Sequence, residues 1–402
     1  MHNHLIKAGT AILGNGEILH DAFILTREGV IAEIGIEKPA SDSARSIDYS
    51  DRVVMPGLID PHVHLCHDGG TPDPAESRKL ADNYLAIRGA KFAESLLHSG
   101  VTTVGDAAGR GDVPFAIRDA IKKGIVQGPR ILPCGRMITI TGGRDSIYAQ
   151  NEADGPDDVR RATREEIARG ARFIKLAATG AISSENTESM HVQFTMEEMQ
   201  AAVEEAHKVG IMTHAHAYGD EGIENTIRAG VDVLVHGHPL NEQNIELMKK
   251  SGTMYMPTLV TYHESQLHHH EGNLPQHMIR KEKELYPLME AGARKAVSAG
   301  LRIVLGSDSG MPYTPFGRSS MEELQLFVDM AGMDEMNAIV AGTQNAAKAL
   351  RIENLTGTLE KGKSADLLVL ESGIDPLRDI SLLQNQASID NVMLMGRFLE
   401  PV

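Results

Sequence analysis

Cysteine is almost missing from this 402-residue chain: only Cys66 and Cys134 occur. Two thiols cannot build a disulfide framework, so a reducing compartment, the cytoplasm, is the expected setting. Basic charge is also scarce: 39 Lys and Arg stand against 55 Asp and Glu, a formal net charge of −16. A nucleic-acid binder needs a basic face for phosphates, and so does a protein that docks on anionic lipid. Neither partner is expected. No run of about 18 apolar residues occurs, so no membrane-spanning helix is predicted. The opening residues, Met1-His2-Asn3-His4-Leu5-Ile6-Lys7, lack the apolar stretch of a secretory leader. Low-complexity segments and short repeats are missing as well. What is present is a chain 42 % hydrophobic, enough to bury a sizeable core. Its length suits one large domain with a smaller companion.

The two ends of the chain share a texture of short apolar runs broken by Gly and Asn. Ala11-Ile12-Leu13 leads to Gly14-Asn15-Gly16, and Ala22-Phe23-Ile24-Leu25 to Glu28-Gly29. Near the other end, Ala365-Asp366-Leu367-Leu368-Val369-Leu370 and Asn391-Val392-Met393-Leu394-Met395 repeat it. Hairpin punctuation of this kind predicts antiparallel β structure. Residues 1–55 and 356–402 are therefore expected to form one small composite β-sandwich. Between them, eight apolar strand segments alternate with helical patterns. They run 58–64, 101–105, 130–135, 172–176, 211–216, 231–236, 254–258 and 302–307. Thr195-Met196-Glu197-Glu198 has the capping-box form of a helix start, and Gly210 supplies its end. Gly155-Pro156-Asp157 opens another helix, which Gly170 closes. Eight such units predict an α/β fold, a (β/α)8 TIM-like barrel over residues 56–355.

In such a barrel the active residues stand at the C-terminal ends of the strands. The first strand ends Asp60-Pro61-His62-Val63-His64. Residues two apart point to one side, so His62 and His64 can aim two imidazoles at a metal. A pair of surface histidines is the plain alternative. In the fourth strand Lys175 sits among apolar neighbours, where burial lowers its pKa and leaves a nucleophilic amine. That amine can capture carbon dioxide as a carbamate, an anionic ligand able to bridge two metals. Otherwise it snorkels to water. The fifth strand offers His214 and His216, and the sixth His236 and His238, each pair of one parity. Nearness to the open mouth favours His216 as a ligand, and His236 is favoured because it ends the apolar run whereas His238 lies past Gly237. His214 is then a hydrogen-bonded residue of the barrel interior. The eighth strand ends at Asp308, placed either to bind metal weakly and shuttle protons or to cap the next helix. Four His, one Lys and one Asp at five strand ends read together as a metal site. Asp106, ending the second strand, stays open between a supporting and a structural role. His268-His269-His270, in a polar stretch after the seventh strand, is expected in a mobile lid or surface loop.

Met55-Pro56-Gly57-Leu58-Ile59-Asp60-Pro61-His62-Val63-His64 resembles the opening motif of the amidohydrolase superfamily. Leu305-Gly306-Ser307-Asp308 and the stretch from Gly357 to Asp366 resemble its later signatures. The likeness spans nearly the whole chain. Within the superfamily the sequence is most similar to imidazolonepropionase-like enzymes, which include metal-dependent prolidases and carboxypeptidase-like dipeptidases. The resemblance implies a two-zinc centre: His62, His64 and Asp308 on one ion, His216 and His236 on the other, carboxylated Lys175 between them. It also implies that Tyr218, where subgroup members carry His or Tyr, can hold a substrate carboxylate, the plain alternative being a residue of the rim. Arg144 departs from the pattern, since many members have His after the Gly pair. An Arg there either grips a carboxylate bidentately or faces solvent. Members commonly associate, so a homo-oligomer is compatible.

The expected activity is hydrolysis of an amide or peptide bond by metal-activated water. The expected substrate is a small molecule with a free C-terminal carboxylate, a dipeptide or an N-acyl amino acid. Asp308 moves the proton to the leaving nitrogen, and His238 steadies the developing oxyanion. The rivals are a cyclic-amide hydrolase resembling imidazolonepropionase, a xenobiotic amide or carbamate hydrolase, and an inactive barrel scaffold. A deaminase fits less well. Those resembling this fold lack the bridging Lys and carry Glu three residues after the fifth-strand His, where this chain has Gly219.

Overall fold

The alternation of apolar strands and amphipathic helices closes into a ring. A computed structural model describes residues 3–40, 44–70, 73–143 and 151–399. The chain starts with β1 (His4–Ile12), β2 (Ile18–Arg27), β3 (Val30–Gly35) and β4 (Arg45–Pro56). After Gly57 it enters the barrel with β5 (Leu58–Val63), β6 (Val101–Asp106) and β7 (Arg130–Pro133), three parallel neighbours. Then come β8 (Ile138–Thr139), β9 (Asn151–Glu152), β10 (Phe173–Ala177), β11 (Met212–Tyr218), β12 (Val233–His238) and β13 (Met254–Met256). Their order in the second barrel sheet is β9-β8-β10-β11-β12-β13. Backbone hydrogen bonds join the two arcs, as from Arg172 N to the Pro133 carbonyl at 2.8 Å.

The helices cover the outside: α1 (Asp82–His98), α2 (Val113–Lys122), α3 (Pro156–Arg169), α4 (Met196–Lys208), α5 (Asp220–Arg228) and α6 (Glu242–Ser251). After β13 there are two, α7 (Leu259–His268) and α8 (Gln276–Ser298), and α9 (Arg318–Asp329) follows the eighth stave. The local signals behave as their chemistry dictates. Thr195 and Glu198 make both bonds of the capping box. Gly170 ends α3 in the left-handed region at φ 97°, which glycine adopts without steric cost. The barrel strands are buried on both faces, which is why their sequences are continuously apolar. Ile59, Phe173, Val233, Val235, Met256 and Val304 fill the interior.

The eighth stave departs from expectation. Residues 302–307 form no regular strand. Ile303 makes one bridge to Tyr255, and Ser309 one bridge to Val63. The backbone groups go elsewhere: Leu305 N to the Ala341 carbonyl at 3.1 Å, the Ile303 carbonyl to Asn345 Nδ2 at 2.9 Å, and Ser307 N to Asp60 Oδ1 at 3.2 Å. Side chains and a neighbouring helical segment thus take the place of a ladder. The ring is still closed, by Val304 N to the Tyr255 carbonyl, Asp308 N to the His62 carbonyl and His64 N to the Ser309 carbonyl, at 2.8, 2.9 and 2.8 Å. The third stave is also broken: β7 pairs with β6, whereas β8 pairs with β10.

Both chain ends meet in one seven-stranded sheet. Adding β14 (Leu367–Leu370), β15 (Ile389–Leu394) and β16 (Arg397–Phe398), its order is β16-β15-β14-β4-β1-β2-β3. Its outer strand β3 returns to the segment before β14 through a Val30–Ser364 bridge, so the two layers are one sheet folded over itself. Cys66 and Cys134 are buried free thiols. Among the described residues no helix is long and apolar enough to cross a membrane.

Candidate metal centre and substrate pocket

Asp60 organises the first and last staves. Its buried carboxylate accepts His62 N at 3.1 Å and Ser307 N at 3.2 Å on Oδ1, and Ser307 Oγ at 2.5 Å and Ser320 Oγ at 2.7 Å on Oδ2. Gly306 lets the staves approach closely, since a Cβ there would lie 2.5 Å from Met256 and 3.2 Å from His62. On this frame His62 Nε2 and His64 Nε2 stand 3.3 and 2.9 Å from Asp308 Oδ1. Donor atoms of the three residues all lie within 4.8 Å of one another.

The other imidazoles face the same mouth. The His216 and His236 rings are 4.7 Å apart, and His236 lies 5.9 Å from His62. Hydrogen bonds fix both tautomers. His216 Nε2 must donate to the Gly180 carbonyl at 2.8 Å, so Nδ1 carries the lone pair. Thr258 gives its own hydroxyl hydrogen to the Pro257 carbonyl, so its oxygen accepts from His236 Nδ1 at 2.7 Å and Nε2 carries the lone pair. Metal-ligating imidazoles are held in this way by a partner on the opposite nitrogen. Burial, and after it the Lys175 charge for His62 and the neighbouring His216 for His236, keeps these two rings well below the ordinary histidine pKa. Burial opposes ionisation of Asp308, but His62 and His64 prevail and hold it well below the usual carboxylate range. Lys175 is 1 % exposed, stands in register with His214, and acts electrostatically on both His62 and His236. Neutral imidazoles, a carboxylate and a buried lysine are the donor set that a divalent metal pair takes.

The backbone is strained where these staves end. His236, Thr258 and Asp308 adopt positive φ values of 65, 53 and 53°, unusual for residues other than glycine. Such conformations persist where the surroundings over-determine them, and they cluster at functional sites.

His216, Tyr218, His236, Tyr262, Glu282 and Asp308 line one pocket with a cavity volume of about 30 Å³. Tyr218 stacks on His236 at 5.2 Å and its phenol meets that of Tyr262, whose oxygen is 3.0 Å from His236 Nδ1. His214 lies deeper, with Nε2 donating to the Ala349 carbonyl at 2.8 Å. His238 is fully buried and outside the pocket lining: Nε2 donates to the Pro257 carbonyl at 3.1 Å and Nδ1 is 3.3 Å from the Tyr255 hydroxyl. Asp106 is buried behind His64 and accepts Leu65 N at 3.2 Å. Arg144 falls outside the described residues. The triple-histidine run is not a loop: it spans the last turn of α7 and a 3₁₀ turn. Its middle member is half-buried, with His269 Nε2 2.6 Å from Glu282.

Tyr262, Thr258, Ser265 and Glu282 escaped the sequence reading. Tyr262 had a signal, because a helix that starts directly after a barrel strand stands over the mouth. Glu282 had none; α8 brings it there through tertiary packing alone.

A model of the amidohydrolase family matches residues 53–399. An ochratoxinase from Aspergillus niger is 31 % identical over 98 % of this chain and 86 % of its own. An imidazolonepropionase from Thermoanaerobacter pseudethanolicus is 26 % identical over 89 % of this chain and 85 % of its own. The solved structure of a Xaa-Pro dipeptidase with methionine bound in its active site has a TM-score of 0.87 and 31 % identity, covering 99 % of this chain and 100 % of that one. With a family match that runs from the end of β4 to the last strand, and relatives aligned over nearly the whole length, the protein belongs to the amidohydrolase family and is a hydrolase.

Proposed function

We propose that this hydrolase cleaves an amide or peptide bond in a small substrate with a free C-terminal carboxylate, a dipeptide or an N-acyl amino acid. In this reading two divalent metal ions, zinc first among them, are held by His62, His64, Lys175, His216, His236 and Asp308. The observation that carries it is the convergence of His62, His64 and Asp308 donors within 4.8 Å beside two imidazoles of fixed tautomer. Bound there, such a metal pair would supply a water acidic enough to ionise near neutral pH and an electrophile for the carbonyl. Lys175, carboxylated by carbon dioxide, would serve both ions. Asp308 accepts the proton of the attacking water at a carboxylate oxygen and delivers it to the leaving nitrogen. Tyr218 donates its phenol hydrogen to the substrate carboxylate, with Arg144 as the second grip. His238, both nitrogens engaged in the wall, supports the oxyanion side from behind by fixing Pro257, next to the Thr258 that orients His236.

The dipeptidase relative, with methionine in its active site, supports an amino-acid-bearing substrate. The imidazolonepropionase and ochratoxinase relatives favour the second reading, hydrolysis of a cyclic or xenobiotic amide. A panel of dipeptides and N-acyl amino acids, each beside its C-terminal amide, decides between them on zinc-loaded protein. The free acids are expected to turn over at least about tenfold faster, the size of one charged contact. Equal turnover of acid and amide would remove the carboxylate grip. Lys175→Ala is expected to lose metal and activity together, and a fully active variant would end the bridging role.

A further inference from the structure

Glu282 reaches the substrate pocket from α8 and is 3 % exposed. Both hydrogen bonds to its carboxylate fall on one oxygen: Ser265 Oγ and His269 Nε2 each lie 2.6 Å from Oε2. Among the described residues Oε1 accepts no hydrogen bond. The neighbouring cation is committed elsewhere. Lys281 directs its ammonium away, to the carbonyls of Ala181, Ser184 and Thr187 in the loop after β10. No Lys or Arg occurs among the described residues that line the pocket. Burial pushes the Glu282 carboxyl up, while Ser265 and His269 pull it back. A carboxylate oxygen left open toward a ligand pocket, on a residue that is otherwise buried, gains most from a charged donor, because the pair forms a charge-assisted hydrogen bond.

We infer that Glu282 Oε1 is the receptor for a substrate ammonium group, so that the preferred acyl part carries a free amino end. The substrate class is then the dipeptide rather than the N-acyl amino acid. This rests on the amide-hydrolase reading, in which the scissile carbonyl sits at Asp308 in the same pocket. The free amino group of a dipeptide is borne on the carbon next to that carbonyl. Glu282 acts there as a specificity residue, and Ser265 and His269 hold its carboxylate in place.

The test uses pairs that differ only in the ammonium. The ketomethylene isostere of alanyl-leucine cannot be hydrolysed, and its des-amino counterpart replaces the ammonium by hydrogen. Calorimetry on the zinc-loaded protein is expected to give at least about tenfold tighter binding of the amino compound, with the gap closed in Glu282→Gln. Alanyl-leucine should likewise exceed propionyl-leucine in kcat/KM, and the variant should slow only the former. Equal affinities in the unaltered protein, or a gap that survives Glu282→Gln, would overturn the inference. The ligand pair gives its answer on the unaltered chain, so a variant that does not fold leaves the test intact. Preference in binding without hydrolysis of either amide would refute the amide-hydrolase reading and leave the ammonium site standing. Hydrolysis of both amides at equal kcat/KM with equal binding would do the reverse.

Discussion

Asp60 shows how one side chain sets the metal-facing geometry without facing the pocket itself. It ties His62 to Ser307, one residue from Asp308, and to Ser320 through four hydrogen bonds across the closing seam of the barrel. Removing it leaves two backbone N–H groups and two hydroxyls buried without their acceptor, each worth about 1–3 kcal/mol. Asp60→Ala is therefore expected to lose about 3–5 kcal/mol in urea unfolding, after partial relaxation. It should also weaken zinc binding about 10–100-fold, as loss of a supporting partner does. Unchanged zinc affinity in a folded variant would separate Asp60 from the centre. At this scale much could be read from sequence. Strand parity aims His62 and His64 together, and a lysine in an apolar strand invites explanation. Parity could not choose between His214 and His216, or between His236 and His238. Their placement separates them: His216 and His236 line the pocket, whereas His214 and His238 lie outside its lining.

At the scale of elements, α7 carries Thr261, Tyr262 and Ser265 to the pocket, and its start is unusual. Thr258 precedes it at φ 53° with no side-chain cap. The cap comes from α9: Glu323 accepts Leu259 N and Val260 N at 2.9 and 2.7 Å. Burial pushes the Glu323 carboxyl up to about 8, with Asp60 and Glu322 adding repulsion. A raised acid keeps its proton in the fold while the unfolded chain releases it. Its contribution to stability therefore falls as pH rises from about 4.5 to about 8 and is flat beyond. Glu323→Gln should flatten that decline, by up to about 1.4 kcal/mol per pH unit, in unfolding followed from pH 5 to 8.5. An unaltered slope would refute the assignment. Helix starts at Thr195 and Gly155 were legible because the capping box of the one and the Gly-Pro step of the other lie within a few residues. The cap of α7 was not, since its acceptor lies 64 residues beyond Leu259 and 63 beyond Val260. The eighth stave was read as a strand because its composition is apolar. Its bonds to Ala341, Asn345 and Asp60 come from tertiary neighbours that no local pattern announces.

Across the whole molecule, the folded-over end sheet and the barrel are stitched at Asp366. Its buried carboxylate pairs with Arg130 of β7 at 2.9 Å and accepts Thr356 Oγ1, Ser364 Oγ and Met395 N at 2.8, 2.8 and 2.9 Å. The meeting of the chain ends was visible in their shared hairpin texture, and the barrel in eight recurring strand–helix units. That one sheet forms both layers was not visible, because strand order across long separations leaves no trace in periodicity. The same long-range closure brings residues from five staves to one mouth, and the account stands on what that mouth holds. The most direct measurement is diffraction from crystals of the protein loaded with zinc and bicarbonate, with data on both sides of the zinc absorption edge. Two anomalous peaks are predicted per chain, one at His62, His64 and Asp308 and one at His216 and His236, with carboxylate density on Lys175 between them. A single peak away from these side chains, or an unmodified Lys175 turned from both ions, would contradict it.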